Sequence, residues 1–278
     1  MKATIPVSVS ASRNLVSFQH RTSESLRIVR FRYDQGEQEV PDLAQLRHER
    51  RVALPTADAG GFEYRLPADS SIALEVDKAA DARAAVTAIA DVLAELHGWG
   101  DDSVATGAHA TPSWIRRLKG HLRAIRCSAN DVAAFLGREI PAEYFDAPLV
   151  PTSSSRPCLL HGAPSLALTY LTEQRALVLA GEDISTGPPE MDWGFLVGEI
   201  AEIALLGSYP IARHCQVLNS IVDTYTPGMD RRSIMAFAQH RTVLHILDYA
   251  DSFISTIDDM TDEWFALLRS IQWDQILP

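Results

Sequence analysis

The spacing of apolar residues changes along the chain, from every second position near the start to every third or fourth position later, and this predicts strands first and helices after. Ile5 to Phe18 alternates weakly through Val7, Val9, Leu15, Val16 and Phe18 and reads as a strand. Gln19 to Ser25, QHRTSES, is a polar turn, and Leu26 to Tyr33, LRIVRFRY, alternates apolar side chains with Arg as a half-buried strand should. Asp34 to Glu37 is a turn, and Leu43 to Leu54 reads as a short helix with Leu43, Leu46 and Glu49 on successive turns. Gly60-Gly61 is a turn before the strands FEYRL and SIALEV, and Ile72 to Val76 reads as a central strand.

Helical spacing takes over at Asp81 to Gly98, where Val86, Ile89, Ala90, Leu93 and Leu96 form one face, Asp81 can cap the start and Gly98 can stop the helix. Pro112 to Ile125 and Ala129 to Leu136 read as helices, and Pro141 to Pro157 as an irregular lead into the next segment. That segment, Cys158 to Gly194, breaks the helical pattern. Cys158-Leu159-Leu160 is a short strand, His161-Gly162 a tight turn, and Leu166 to Leu171 and Leu177 to Ala180 are two further apolar runs. Gly181 to Pro189 is a turn-rich loop, and Met191 opens a long helix. The rest is helical by period: Trp193 to Leu206, Ile211 to Tyr225, Arg231 to Ile257 and Asp262 to Ile271.

Composition narrows the function classes. The chain has 278 residues, 46% apolar and 22% charged, the make-up of a globular protein with ample core. The net charge is −11, and nearly all the acidic excess lies after residue 77, which argues against a nucleic-acid or anionic-membrane partner. Cys127, Cys158 and Cys215 are far apart with no CxxC pair, so neither a zinc site nor a disulfide framework is suggested. The start, MKATIPVSVSASR, lacks the apolar run of a signal peptide, and no apolar stretch of about 18 residues occurs, so a cytoplasmic protein is expected.

Two strands, a loop and a long helix in residues 158–194 resemble the catalytic segment of the aminoglycoside phosphotransferase and choline-kinase family, distant relatives of protein kinases. That family reads roughly LxHGDLHxxNxL, a hairpin, then VIDWEDxxxGPPxxDLA. His161 and Gly162 match its His-Gly; Glu182-Asp183 and Gly187-Pro188-Pro189 match its loop; Asp192 matches its helix-start Asp. The helix end LAELHG, residues 93–98, is similar to the family's LxxLH. The resemblance implies a two-lobed protein-kinase-like α+β fold, with a β-rich N-lobe over 1–76 and a helical C-lobe over 77–278 that carries the hairpin 158–194. It also implies three functional positions whose residues are changed here. The catalytic Asp position holds Ala163, the metal-binding Asn position Leu168 and the metal-binding Asp position Ala180. Phosphoryl transfer needs a carboxylate to orient the hydroxyl and oxygen ligands for the metal ions, and Ala and Leu supply none. Glu49 stands where the family's ion-pairing Glu would be, but no Lys lies on a strand before it; Arg30 or Arg32 would have to substitute in charge. No nucleotide, metal or other cofactor is therefore expected.

The remaining polar residues each have a plain reading beside a chemical one. His161 in its turn is a structural prop or a base. Glu182 and Asp183 are solvated loop charges or an acid and base facing the former phosphate site. Asp192 is an N-cap or a loop brace, and Cys158 a small core residue. Arg21, Arg27, Arg30 and Arg32 are a solvated strand face or a binding surface for an acidic peptide. Eroded phosphotransferase-like proteins of this kind occur in the maturation of ribosomally made peptides, in thioamide-containing and class V lanthipeptide pathways. The resemblance thus implies a precursor peptide as partner and thioether ring closure as reaction, with His161, Glu182 and Asp183 as the catalytic candidates. A binding subunit that serves a decarboxylase or dehydratase component is the alternative, and an atypical ATP-dependent kinase the third reading.

Overall fold

The computed structural model describes residues 8–11, 15–32, 51–58, 61–99, 110–127, 131–140, 156–207 and 209–253. Alternation governs its first layer. β1 (Ser8–Ala11), β2 (Leu15–Arg21), β3 (Ser25–Arg32), β5 (Thr56–Asp58) and β6 (Gly61–Pro67) form an antiparallel sheet in the order β1-β2-β3-β6-β5. The register sets Leu26 opposite Leu66 and Ile28 opposite Tyr64, and these four side chains are buried on one face against Tyr170, Leu177 and Leu179. The single strand expected over Ile5 to Phe18 is two strands, β1 and β2, paired with each other. The turn expected over Gln19 to Ser25 is confined to Thr22–Glu24, because Gln19 to Arg21 continue β2 in register with β3 and Ser25 opens β3.

A second sheet ties this layer to the segment 158–194. β4 (Val52–Ala53) lies parallel to β10 (Ala176–Leu179), which pairs with β9 (Thr169–Leu171), which pairs with β7 (Ser71–Ile72). Thus the end of the helix expected over Leu43 to Leu54 is a strand, because Arg51 and Ala53 offer their carbonyls to the N–H groups of Val178 and Ala180. The rest of that expected helix, with Glu49, lies outside the described residues. The strand expected over Ile72 to Val76 stops at Ile72. A 3-10 turn over Ala73–Glu75 follows, turning Ala73 and Leu74 into the core. Leu166 to Leu171 also divides, into a 3-10 turn at Leu166–Leu168 and β9, because the Ser165 Oγ accepts the Ala167 N–H and starts a turn. Within the loop Gly181 to Pro189, β11 (Ser185–Gly187) pairs antiparallel with β8 (Cys158–Leu160).

Helices α1 (Ala79–Gly98), α2 (Ser113–Cys127), α3 (Asp131–Glu139), α4 (Glu190–Leu206), α5 (Cys215–Tyr225) and α6 (Arg231–Phe253) make up the remainder. α1 buries the predicted stripe Val86, Ile89, Leu93 and Leu96. It starts earlier than expected, so Asp81 sits in its first turn, where the helix dipole favours a carboxylate, and is not its cap. α4 is apolar nearly all round and runs through the centre, with Trp193, Leu196, Val197 and Ile200 buried. Gly194 and Gly198 let it approach α6 closely: a Cβ on Gly194 would stand 2.4 Å from that of Phe237. The helix expected over Asp262 to Ile271 lies outside the described residues. Among the described residues, no helix is long and apolar enough to cross a membrane.

Candidate functional site

The turn after β8 needs a glycine for two reasons. Gly162 has φ +90°, and a Cβ there would overlap the Asp183 carbonyl oxygen at 1.9 Å. This close approach brings the His161-Gly162 turn and the Glu182-Asp183 loop together. Asp192, in the first turn of α4, then fixes the turn from below: its carboxylate accepts the N–H of His161 at 2.9 Å and of Gly162 at 3.0 Å. His97, at the end of α1, adds a ring nitrogen at 3.0 Å from the same carboxylate. Asp192 is 1% exposed and braces the turn; α4 begins two residues earlier, so it is not the cap residue.

His161 is itself buried. Its Nε2 lies 2.9 Å from the Leu179 carbonyl oxygen, which can only accept, so this nitrogen carries the hydrogen. The Nδ1 has no hydrogen-bond partner among the described residues. It therefore presents a lone pair, because a second buried N–H with no acceptor would be costly.

His161 lines a cavity of about 370 Å³. Ser17, Gln19, Arg30 and Tyr64 bound it from the first sheet, Leu168, Tyr170 and Leu179 from the second, and Trp114, Arg117, Phe195 and Arg241 from the helices. Ala163, Ser165, Glu182, Asp183 and Glu199 complete the lining. The Arg30 Nε is 2.6 Å from a Glu182 carboxylate oxygen, so the loop and the sheet meet in an ion pair across the cavity, although no well-aimed hydrogen bond joins those two atoms. Arg30, considered from the sequence as a substitute partner for Glu49, pairs with Glu182, and Glu49 lies outside the described residues. Asp183 accepts from the Ser113 N–H at 3.0 Å and the Ser113 hydroxyl at 2.5 Å, and so holds the start of α2. Glu199 accepts from the Ser165 hydroxyl at 2.5 Å and the Leu166 N–H at 2.7 Å.

The three positions that carry metal-binding or catalytic oxygens in the resembled family offer none here. Ala163 and Leu168 line the cavity, and Ala180, buried at the end of β10, carries only a methyl group. Of the charges in the lining, Glu182 is engaged by Arg30 and Asp183 by Ser113, while Glu199, Arg117 and Arg241 stand on the helical side.

The four arginines singled out on the early strands do not share a face. Arg30 points to the cavity with Leu26 and Ile28, whereas Arg27 projects from the other side of β3 and lies 2.5 Å from Glu63. The hydrogen bond from Arg27 holds the Glu63 carboxyl below the usual range. Arg21 donates to the carbonyls of Ala68 and Ser70 and so ties down the turn after β6. Arg32 ends β3, and its side chain lies outside the description.

Sequence reasoning missed the helical wall. Arg241 pairs with Glu202 and lies over the Phe195 ring at 5.5 Å; burial opposes its charge and lowers its pKa, while Glu199 and Asp248 favour the charge. Arg117 and His121 both contact Asp248. Burial would raise the Asp248 pKa, but these two partners outweigh it and keep the group below the usual range. Tyr170 accepts from Gln19 at 3.2 Å, and burial pushes its hydroxyl up to about 12. The available signal was charge on the apolar helix α4, where Glu199 and Glu202 stand three residues apart among Val197, Ile200 and Ile203.

No family model and no curated protein matches the chain. Solved structures do. A choline/ethanolamine kinase family protein from Mesorhizobium loti superposes with a TM-score of 0.58 at 13% identity, over 97% of this chain and 87% of that one. The choline kinase LicA from Streptococcus pneumoniae gives 0.56 at 12%, over 97% and 94%. A spectinomycin phosphotransferase in complex with ADP and spectinomycin gives 0.57 at 12%, over 98% and 91%. Likeness at such low identity speaks for architecture, and the chain has the α+β protein-kinase-like fold shared by choline kinases and aminoglycoside phosphotransferases.

Proposed function

We propose that this chain is a phosphotransferase-like protein that does not transfer phosphate and instead acts on a ribosomally made peptide, closing a thioether ring by adding a cysteine thiol to a dehydrated serine or threonine. The observation that carries this reading is His161, a buried imidazole on the cavity wall whose Nε2–H is committed to Leu179 and whose Nδ1, also buried, has no hydrogen-bond partner among the described residues. The lack of side-chain oxygens at Ala163, Leu168 and Ala180 supports the first half, since phosphoryl transfer depends on such groups.

In the addition, the His161 Nδ1 takes the thiol proton, the thiolate sulfur bonds to the β-carbon, and the double-bond electrons move to the α-carbon and its carbonyl. The Trp114 Nε1–H, buried and without a hydrogen-bond partner among the described residues, suits the developing oxygen charge. The proton on His161 then passes to the α-carbon. Nothing is oxidised or lost, and neither nucleotide nor metal enters the balance.

The test is incubation of the purified protein with a peptide that contains one dehydroalanine and one cysteine, without ATP or magnesium. Loss of alkylatable thiol at unchanged peptide mass reports closure. The wild-type chain should accelerate closure, and His161→Gln should lose about 10²- to 10⁴-fold of that rate. Equal rates for the two proteins would sink the assignment of His161.

A second reading, a subunit that presents peptide to a decarboxylase or dehydratase component, is favoured by the engagement of Glu182 with Arg30 and of Asp183 with Ser113. It expects peptide binding with no closure by the isolated chain.

A further inference from the structure

Helix α2 has two sides of opposite character. Its inner side buries Trp114, Ile115, Leu118 and Leu122, and its flank sends Arg117 to the cavity. Its outer side carries Arg116, Lys119, Arg123 and Arg126, all exposed, at spacings of three, four and three residues. On a helix these positions fall in one stripe about 15 Å long. No acidic residue occurs anywhere in the helix.

This arrangement works against the helix itself. Like charges three and four residues apart repel, and Arg116 stands in the first turn, where the dipole disfavours a cation. Among the described residues, no carboxylate pairs with Arg116, Lys119 or Arg123; the Arg116 guanidinium donates only to the Thr111 carbonyl, at 2.9 Å. The net charge of the chain is −11, and none of the acidic side chains among the described residues compensates these three.

We infer that this stripe is a docking track for an acidic segment of the substrate peptide, delivering the chain to the cavity that begins on the same helix. The inference rests on the reading of the substrate as a peptide. Its length matches about five residues of extended chain. A long polyanion such as a nucleic acid would overrun the stripe and meet the acidic remainder of the molecule.

Fluorescence anisotropy with a labelled Glu-rich peptide and its Gln counterpart tests the track. The full chain should bind the Glu peptide more tightly than the Gln peptide, with affinity falling as salt rises. The triple variant R116Q/K119Q/R123Q should weaken that binding about tenfold, as expected for three exposed charge pairs. Gln is a good helix former, and a circular-dichroism melt checks that the variant folds. Arg213→Gln, an exposed site paired with Asp77 elsewhere, should leave binding unchanged.

Equal affinity for the two peptides, or undiminished binding by the triple variant, would overturn the track. So would tighter binding of a single-stranded oligonucleotide or an anionic vesicle through the same three residues. Docking and ring closure are read separately: docking without closure removes only the catalytic reading, and closure without docking removes only this one.

Discussion

The Asp192 carboxylate takes nitrogens from His161, Gly162 and His97, so one buried side chain sets the turn, the end of α1 and the start of α4 in a single arrangement. That role was one of the two, cap or brace, that the sequence offered for a carboxylate three residues after Gly-Pro-Pro and before an apolar run. His240 was not readable in the same way. It is buried in α6 with its ring edge-on to Phe237, and burial pushes its pKa from 6.5 down to about 4. The unfolded chain therefore binds a proton that the folded chain refuses between those values. Stability from this group is complete above about pH 6.5 and is lost as pH falls to about 4, at most on the order of 3 kcal/mol. Urea denaturation across that window should show the decline, and His240→Gln should flatten part of it. An unchanged slope in the variant would count against the assignment.

At the scale of elements, α4 and α6 pack closely where glycines face the partner helix. A methyl group on Gly194 would meet the Phe237 Cβ at 2.4 Å and the Ile234 carbonyl at 2.7 Å, and both belong to a packed helix with little freedom to retreat. Gly194→Ala should lower stability by about 1–3 kcal/mol despite the better helix propensity of alanine, because overpacking outweighs that gain. Chemical denaturation measures it, and a neutral or stabilised variant would mean that the helices separate easily. Element prediction succeeded for α1, where period alone placed the buried face. It failed for β4, since two residues carry no period and become a strand only because β10 lies beside them.

At the scale of the molecule, the cavity gathers residues from both sheets and from α2, α4 and α6. On the proposed reading, ATP with magnesium should leave the melting temperature unchanged, whereas a ligand that binds only the native state would raise it. A saturable rise would restore a kinase that uses ligands other than those expected. The Arg30–Glu182 pair belongs to this scale too. Neither residue announces the other across more than 150 positions of sequence, and only the meeting of the first sheet with the loop after β10 joins them.

The sequence alone determined that strands come first and helices later, the buried face of α1, the glycine turn at Gly162 and the lack of side-chain oxygens at Ala163, Leu168 and Ala180, because each is a property of residue type and local spacing. Tertiary structure alone decided that Arg27 and Arg30 face opposite sides of a sheet, that Asp183 caps α2, and that Arg117, Glu199 and Arg241 share a wall with His161. Those relations depend on which distant segments pack together, and long-range packing leaves no local period in the chain.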